Sequence, residues 1–205
     1  MKRFNHNVCR PGMILQRRTP TKFSDLIRFT LSTQDHKCDW SHDAIFCRTP
    51  AVDLCIGDSV SPHSRLSTLE FWERGINECG WQVRVLEPVG FCDVDGLWAA
   101  HWWMCNVLGR PYDWFAFPRL LWKGLWVKLG KEAFANTRWG ILHHWAQRQS
   151  GMEWAWYCSE GCRDAWHKGD TLQPWGEKMN PTPYTTQKRT EQGHFIVRDD
   201  ALIEA

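Results

Sequence analysis

The sequence predicts an α+β domain in which a small antiparallel sheet packs against helices, and three stretches carry that expectation. Trp40-Ser41-His42-Asp43-Ala44-Ile45-Phe46-Cys47-Arg48 and Val52-Asp53-Leu54-Cys55-Ile56-Gly57-Asp58-Ser59-Val60 are strand-like runs joined at Thr49-Pro50, which suits an antiparallel hairpin. Residues 93–108 have helical spacing and are closed by Gly109 and Pro111. Trp154-Ala155-Trp156-Tyr157-Cys158-Ser159-Glu160 is an apolar run, then a cysteine, then residues suited to a first helical turn. With 205 residues the chain is long enough for one domain with a substantial core.

Taken in order, Pro11-Gly12 is a turn that feeds a short strand, Met13-Ile14-Leu15. A helix is expected from Thr21, with Thr21 or Ser24 as cap and Phe23, Leu26 and Ile27 sharing one face. Residues 32–39 are polar and read as a loop. Residues 66–72 are amphipathic and partly helical in spacing, and Gln82-Val83-Arg84-Val85-Leu86 alternates as a strand. In the 93–108 helix, Asp93 is the expected cap. Leu97, Ala100, His101, Met104 and Leu108 trace its expected core face, with His101 read as a core histidine. Trp114 through about Leu129 is apolar almost all round yet interrupted by Arg119, Lys123 and Lys128, which suits a buried helix, a lid or an interfacial surface. After Gly169 the composition turns to Pro, Thr, Gly and Lys, a loop or tail, with His194 to Arg198 as a last strand.

Composition excludes several classes. A net charge of +2 implies no strong electrostatic partner, so no nucleic acid is expected. The short basic groups Gln16-Arg17-Arg18 and Gln187-Lys188-Arg189 read as solvated surface. No run of about 18 apolar residues occurs, so no membrane span is expected, although interfacial contact stays open. No apolar run follows Met1-Lys2-Arg3, so no secretory signal is expected. With nine cysteines, an odd number, a reducing, cytoplasmic setting with free thiols is favoured over a disulfide scaffold. Cys158 and Cys162 have no second close Cys/His pair at zinc-finger distance, and His143 and His144 are adjacent, so neither metal nor cofactor is expected. The 15 tryptophans imply an aromatic core or groove without naming its ligand.

The chemistry centres on Cys158. At a helix start it would meet unpaired backbone N–H groups and a partial positive charge, which favour thiolate and could stabilise an oxyanion. A base must come from elsewhere. If the two strands of the hairpin pair, His42 at the start of one and Asp58 at the end of the other are expected to face each other across the ladder, as base and orienting carboxylate. Asp53 and His63 are nearby rivals. The bland alternative is a buried structural cysteine.

Several segments together resemble the circularly permuted branch of the NlpC-type papain-like cysteine hydrolases, the YiiX/YebB-like group. Arg10-Pro11-Gly12-Met13-Ile14-Leu15 resembles that group's opening Pro-Gly-Asp-Ile-Ile strand, and Phe23-Ser24-Asp25-Leu26-Ile27-Arg28 the helix after it. Ser41-His42-Asp43-Ala44-Ile45 resembles its Ser-His-Val-Ala-Ile strand, Gly109-Arg110-Pro111-Tyr112-Asp113 its Gly-x-x-Tyr-Asp turn, and Tyr157-Cys158-Ser159-Glu160 its Cys-Ser-Glu-Leu box. Pro181 to Thr185 echoes a Pro-rich tail. Met13 departs from the expected Asp, and Gly161 stands where Leu is usual. Residues 118–150 have no counterpart.

The resemblance implies a permuted papain-like fold over residues 1–170, with an aromatic-rich insertion around 114–150 and a loop-rich tail over 171–205. It implies Cys158 as nucleophile, His42 as base and Asp58 as third member, with Tyr112 and Ser159 as candidates for holding an oxyanion or substrate. The expected function is a thiol hydrolase, peptidase or amidase, attacking an amide or ester carbonyl through a thioester. Cell-wall-type peptides or lipid-like acyl groups are its expected substrates. Acyl transfer, a non-catalytic binding module and a structural or assembly protein of viral or phage kind are the alternatives.

Overall fold

The computed structural model describes residues 1–32, 37–112, 158–168, 172–176 and 182–204. The elements are β1 (Lys2–Phe4), β2 (Ile14–Arg18), α1 (Lys22–Leu31), β3 (His42–Thr49), β4 (Val52–Asp58), β5 (Arg65–Ser67), α2 (Leu69–Glu78), β6 (Gln82–Pro88) and α3 (Asp93–Asn106). They continue with α4 (Cys158–Lys168), α5 (Pro183–Glu191), β7 (Phe195–Val197), a 3₁₀ turn (Asp199–Ala201) and β8 (Leu202–Glu204). A six-stranded antiparallel sheet in the order β5-β4-β3-β2-β6-β7 forms the centre, and β1 pairs with β8 beside it. The α+β architecture expected from the sequence, a small antiparallel sheet packed against helices, is the one the chain adopts.

Strand alternation sends successive side chains to opposite faces and so builds two cores. Ile14, Ile45, Cys47 and Leu86 face α3 and α4, where they meet Ala99, Ala100, Trp103, Cys162, Ala165 and Trp166. Leu15, Ala44, Phe46, Ile56 and Val85 face the other way, onto Leu69 and Trp72 of α2 and onto Phe4 and Ala201. His42 and Asp58 share the parity of Ala44 and Ile56, whereas Asp43 shares that of Ile45.

The expected hairpin 40–60 is β3–β4, and the strand 82–86 is β6. The capping expectation holds at α1, where Thr21 accepts from the Ser24 backbone N–H. The apolar stripe of α1 does not face the core. Phe23 and Leu26 are exposed and the helix buries Ser24 and Thr30, because Ser24 Oγ bonds Ser41 Oγ at 2.8 Å at the mouth of β3. Residues 66–72 divide between β5 and α2, with Thr68 capping α2 through Phe71 N–H.

Helix α3 is rotated from the expected face. It buries Gly96, Ala99, Ala100, Trp103 and Val107, while Leu97, His101 and Leu108 are exposed. The cause is a close backbone crossing: a Cβ on Gly96 would stand 2.3 Å from the Pro11 carbonyl oxygen, and one on Gly12 would stand 2.4 Å from Gly96 Cα. Only a residue without a side chain permits that approach, so Gly96 fixes which side of the helix turns inward. Asp93 is not the cap. Cys92 is, and Asp93 pairs with Arg10 at 2.9 Å.

The loop expected after residue 169 contains α5. Thr182 and Thr185 form a reciprocal capping box with Pro183 in the first turn, a signal present in the sequence but masked by its Pro/Thr composition. The expected last strand is β7, added beside β6. The aromatic segment 114–129 and the insertion 118–150 lie outside the described residues. Among those described, no helix is long and apolar enough to cross a membrane.

Candidate active site

Strand β3 begins at His42, and β4 ends at Asp58. Their ladder pairs Ile45 with Gly57, which sets Asp58 beside Ala44 and two residues along the same face from His42. The contact is therefore diagonal across the hairpin, not between directly opposed residues. His42 Nε2 and Asp58 Oδ1 stand 2.5 Å apart, and both residues are buried. The rivals lie elsewhere: Asp53 is exposed and pairs with Arg48, and His63 is exposed and bridges to Pro111.

Burial by itself would push the His42 imidazole down. Against this stand the charge of Asp58, the charge of Cys158 and the hydrogen bond to Asp58, with Arg17 acting in the lowering sense, and the balance raises His42 from 6.5 to about 9. Asp58 shows the complementary behaviour. Burial would raise it, but His42, Arg17 and Arg65 together hold it below the usual carboxylate value. The pair is thus an imidazolium–carboxylate at neutral pH.

Cys158 opens α4, as the sequence predicts for its helix start, and it is 5% exposed. Its negative form bears on both His42 and Arg17, which places it within electrostatic reach of each. The anchor is Ser159. That residue is fully buried and its hydroxyl bonds the Asp43 carboxylate, so the first turn of α4 is tied to the residue after His42. The side chain of Ser159, a candidate for holding an oxyanion or substrate, is thus engaged inside the protein. Asp43 in turn accepts from Gln16 Nε2 and Thr186 Oγ1, each at 2.7 Å, joining β2, β3, α4 and α5 in one buried network.

Gly161 stands where the resembling family has Leu, and packing explains it. A Cβ there would lie 3.1 Å from Trp103 Nε1 and 3.3 Å from Val107 Cγ1, so α4 lies against α3 with no space for a branched side chain. Cys162 is buried among the α3–α4 contacts as a core-facing thiol. The turn 109–112 runs beside the loop after β4: Gly109, at φ +77°, donates to Ser64 O, and Tyr112 N–H donates to Pro62 O. Those bonds fix the Tyr112 backbone.

Arg17 is the residue that the sequence reading missed. The run Gln16-Arg17-Arg18 is not solvated surface. Gln16 is buried, bonding Asp43 and receiving Arg84, and Arg17 lies opposite His42 in the β2–β3 register. The missed signal was position: Arg17 continues a strand whose alternate residues face the core.

The histidine strand thus precedes the cysteine helix in the chain, with a carboxylate on the next strand. The structure is similar to a crystal structure of the metalloprotein yiiX from Escherichia coli O157:H7, at 16% identity and a TM-score of 0.52, covering 94% of this chain and 91% of that one. That likeness is one of fold. No family model matches the sequence, and neither does any curated protein.

Proposed function

We propose that the protein is a cysteine hydrolase acting on an amide or ester carbonyl, with Cys158 as nucleophile, His42 as base and Asp58 as its orienting carboxylate. The observation that carries this is the buried His42–Asp58 pair, tied through Asp43 and Ser159 to the helix that Cys158 opens. Nε2 of His42 faces Asp58, so Nδ1 is the nitrogen that holds the proton taken from the Cys158 thiol, and the resting pair is thiolate and imidazolium. The sulfur then attacks the carbonyl carbon, and the Cys158 backbone N–H at the helix start would steady the oxyanion. The Nδ1 proton passes to the leaving amine or alcohol, and a thioester remains. Water attacks that thioester, giving a proton back to His42, and the acid and the thiol are released. With an amine or alcohol as acceptor in place of water, the same steps give acyl transfer. Cell-wall-type peptides and lipid-like acyl groups are the substrate classes to test first.

The metal named for the E. coli protein does not fit the residues described here. His42 Nε2 and Asp58 Oδ1 are engaged with each other, and the Arg17 cation stands beside the same carboxylate. Among the described residues no group of three or more His, Cys, Asp or Glu is placed to hold a metal ion.

One observation favours a second reading, a non-catalytic module on the same fold: Cys158 is 5% exposed. Iodoacetamide labelling across pH, with the site mapped by mass spectrometry, separates the two. The hydrolase requires fast labelling of Cys158 below about pH 7, because an ordinary thiol ionises near 8.5, and His42→Ala must slow it at neutral pH. Slow, uniform labelling of several cysteines would support the second reading.

A further inference from the structure

We propose that Arg17 is a positioning residue of the Cys158–His42–Asp58 group, supplying the positive charge that makes a buried thiolate–imidazolium–carboxylate cluster neutral as a whole. This rests on the assignment of Cys158 and His42 as nucleophile and base.

Arg17 shares the face of the sheet that carries His42, being its partner in the β2–β3 register. Its Nη1 lies 3.9 Å from Asp58 Oδ2, the carboxylate oxygen that His42 does not engage. Its guanidinium carbon sits 4.5 Å from the ring centroid of Trp72 and 4.5 Å from that of Trp81. The two indoles meet edge to face, with centroids 5.6 Å apart, and the cation sits in the corner they form, leaving the side chain 12% exposed. Trp72 also stacks on His42, with centroids 6.4 Å apart and planes at 29°. One aromatic wall therefore fixes both cations of the site.

The charges decide what this arrangement does. Thiolate, imidazolium and carboxylate carry one net negative charge, and an uncompensated buried charge is costly. The Arg17 cation brings the total to zero. Asp58 Oδ2 and Arg17 Nε have no hydrogen-bond partner among the described residues, so the tie between the two side chains is charge, not a donor fork. The other charged groups facing the cluster are few. Arg65 of β5 pairs with Asp58 in register but is exposed and lies over Phe71. Asp43 lies on the opposite face of β3 and is held by Gln16, Thr186 and Ser159. Arg17 is thus the enclosed cation of the cluster.

The test compares wild type with Arg17→Lys, Arg17→Met and Arg17→Gln in the full chain, with circular dichroism to establish folding. Two quantities are read: the pH at which Cys158 begins to label with iodoacetamide, mapped so that the exposed Cys79, Cys92 and Cys105 are counted apart, and the titration midpoint of the His42 imidazole by NMR. Removing the cation takes an attraction from the thiolate and a repulsion from the imidazolium, so both move to higher pH, by about one unit for a charge at this range. The Lys variant keeps both near wild type. A merely structural loss would not move the two together or be rescued by Lys. The same comparison between Asp58→Asn and Asp58→Asn/Arg17→Met avoids leaving a buried carboxylate unpaired where the single variants do not fold. If labelling is fast and His42-dependent but neither quantity moves in a neutral variant, the role of Arg17 is overturned and the hydrolase assignment stands. If wild-type labelling is slow and indifferent to His42→Ala, both fall.

Discussion

Asp58 Oδ1 reaches His42 Nε2 diagonally across the β3–β4 hairpin, at 2.5 Å and out of solvent. The contact joins the last residue of one strand to the first of its neighbour, at the end of the sheet where α4 begins. It leaves Nδ1 as the free face of the imidazole and reverses the effect that burial would have on its protonation.

Asp58→Asn tests that reversal. Without the carboxylate charge, burial dominates and the His42 midpoint falls from about 9 to below its ordinary 6.5. Imidazole NMR measures the midpoint directly. Labelling of Cys158 at neutral pH should slow at least about tenfold, since a one-unit change in the protonation balance is a factor of ten. A midpoint that stays near 9 would show that Asp58 is not its cause.

Stability should fall as pH rises through the alkaline range. His42 binds its proton more tightly in the folded state, so its contribution is complete below about 6.5 and is lost progressively up to about 9. Urea midpoints across this window should decline in wild type and stay flatter in Asp58→Asn. Parallel curves would remove the His42–Asp58 pair as the source.

Gly161→Leu restores the residue of the resembling family and should destabilise the fold. The first carbon of the new side chain already meets Trp103 and Val107 at 3.1 and 3.3 Å. Overpacking of this kind costs about 1–3 kcal/mol. For Gly161→Ala, the helix-propensity gain of about 1 kcal/mol offsets part of the crowding. Equal urea midpoints for wild type and the Leu variant would contradict the packing.

Thr186→Val cuts the link between the C-terminal helix and the site. Its hydroxyl donates to Asp43 Oδ2 at 2.7 Å and accepts from Trp175 Nε1 at 2.9 Å. Leaving a buried partner unsatisfied costs about 1–3 kcal/mol. Burial already pushes the Asp43 carboxyl up, and losing this donor should push it further. Thermal unfolding reads the first effect and carboxyl-carbon NMR the second; no change in either would show that solvent replaces the bond.

Much of the frame was legible in local pattern. The hairpin around Thr49-Pro50, the strand at 82–86, the cap at Thr21 and the helix beginning at Cys158 rest on short-range preferences that the chain keeps when folded. Where packing overrides local preference, the sequence misled. The outward stripe of α1 and the rotated face of α3 follow from a serine pair and a backbone crossing, each joining residues far apart in the chain. His101, read as a core histidine, is exposed for that reason.

By itself the sequence determined which residue types stand at the site: a cysteine at a helix start, a histidine opening one strand and an aspartate closing the next. Those follow from spacing and order. Only the tertiary structure decided how they meet. The hairpin register makes the His42–Asp58 contact diagonal, the fold of β2 turns Arg17 inward beneath Trp72 and Trp81, and Asp43 takes Ser159 into the interior. Register and burial are properties of the assembled sheet. Shifting a strand by one residue exchanges its two faces, and nothing local to Arg17 or Ser159 states which face will be covered.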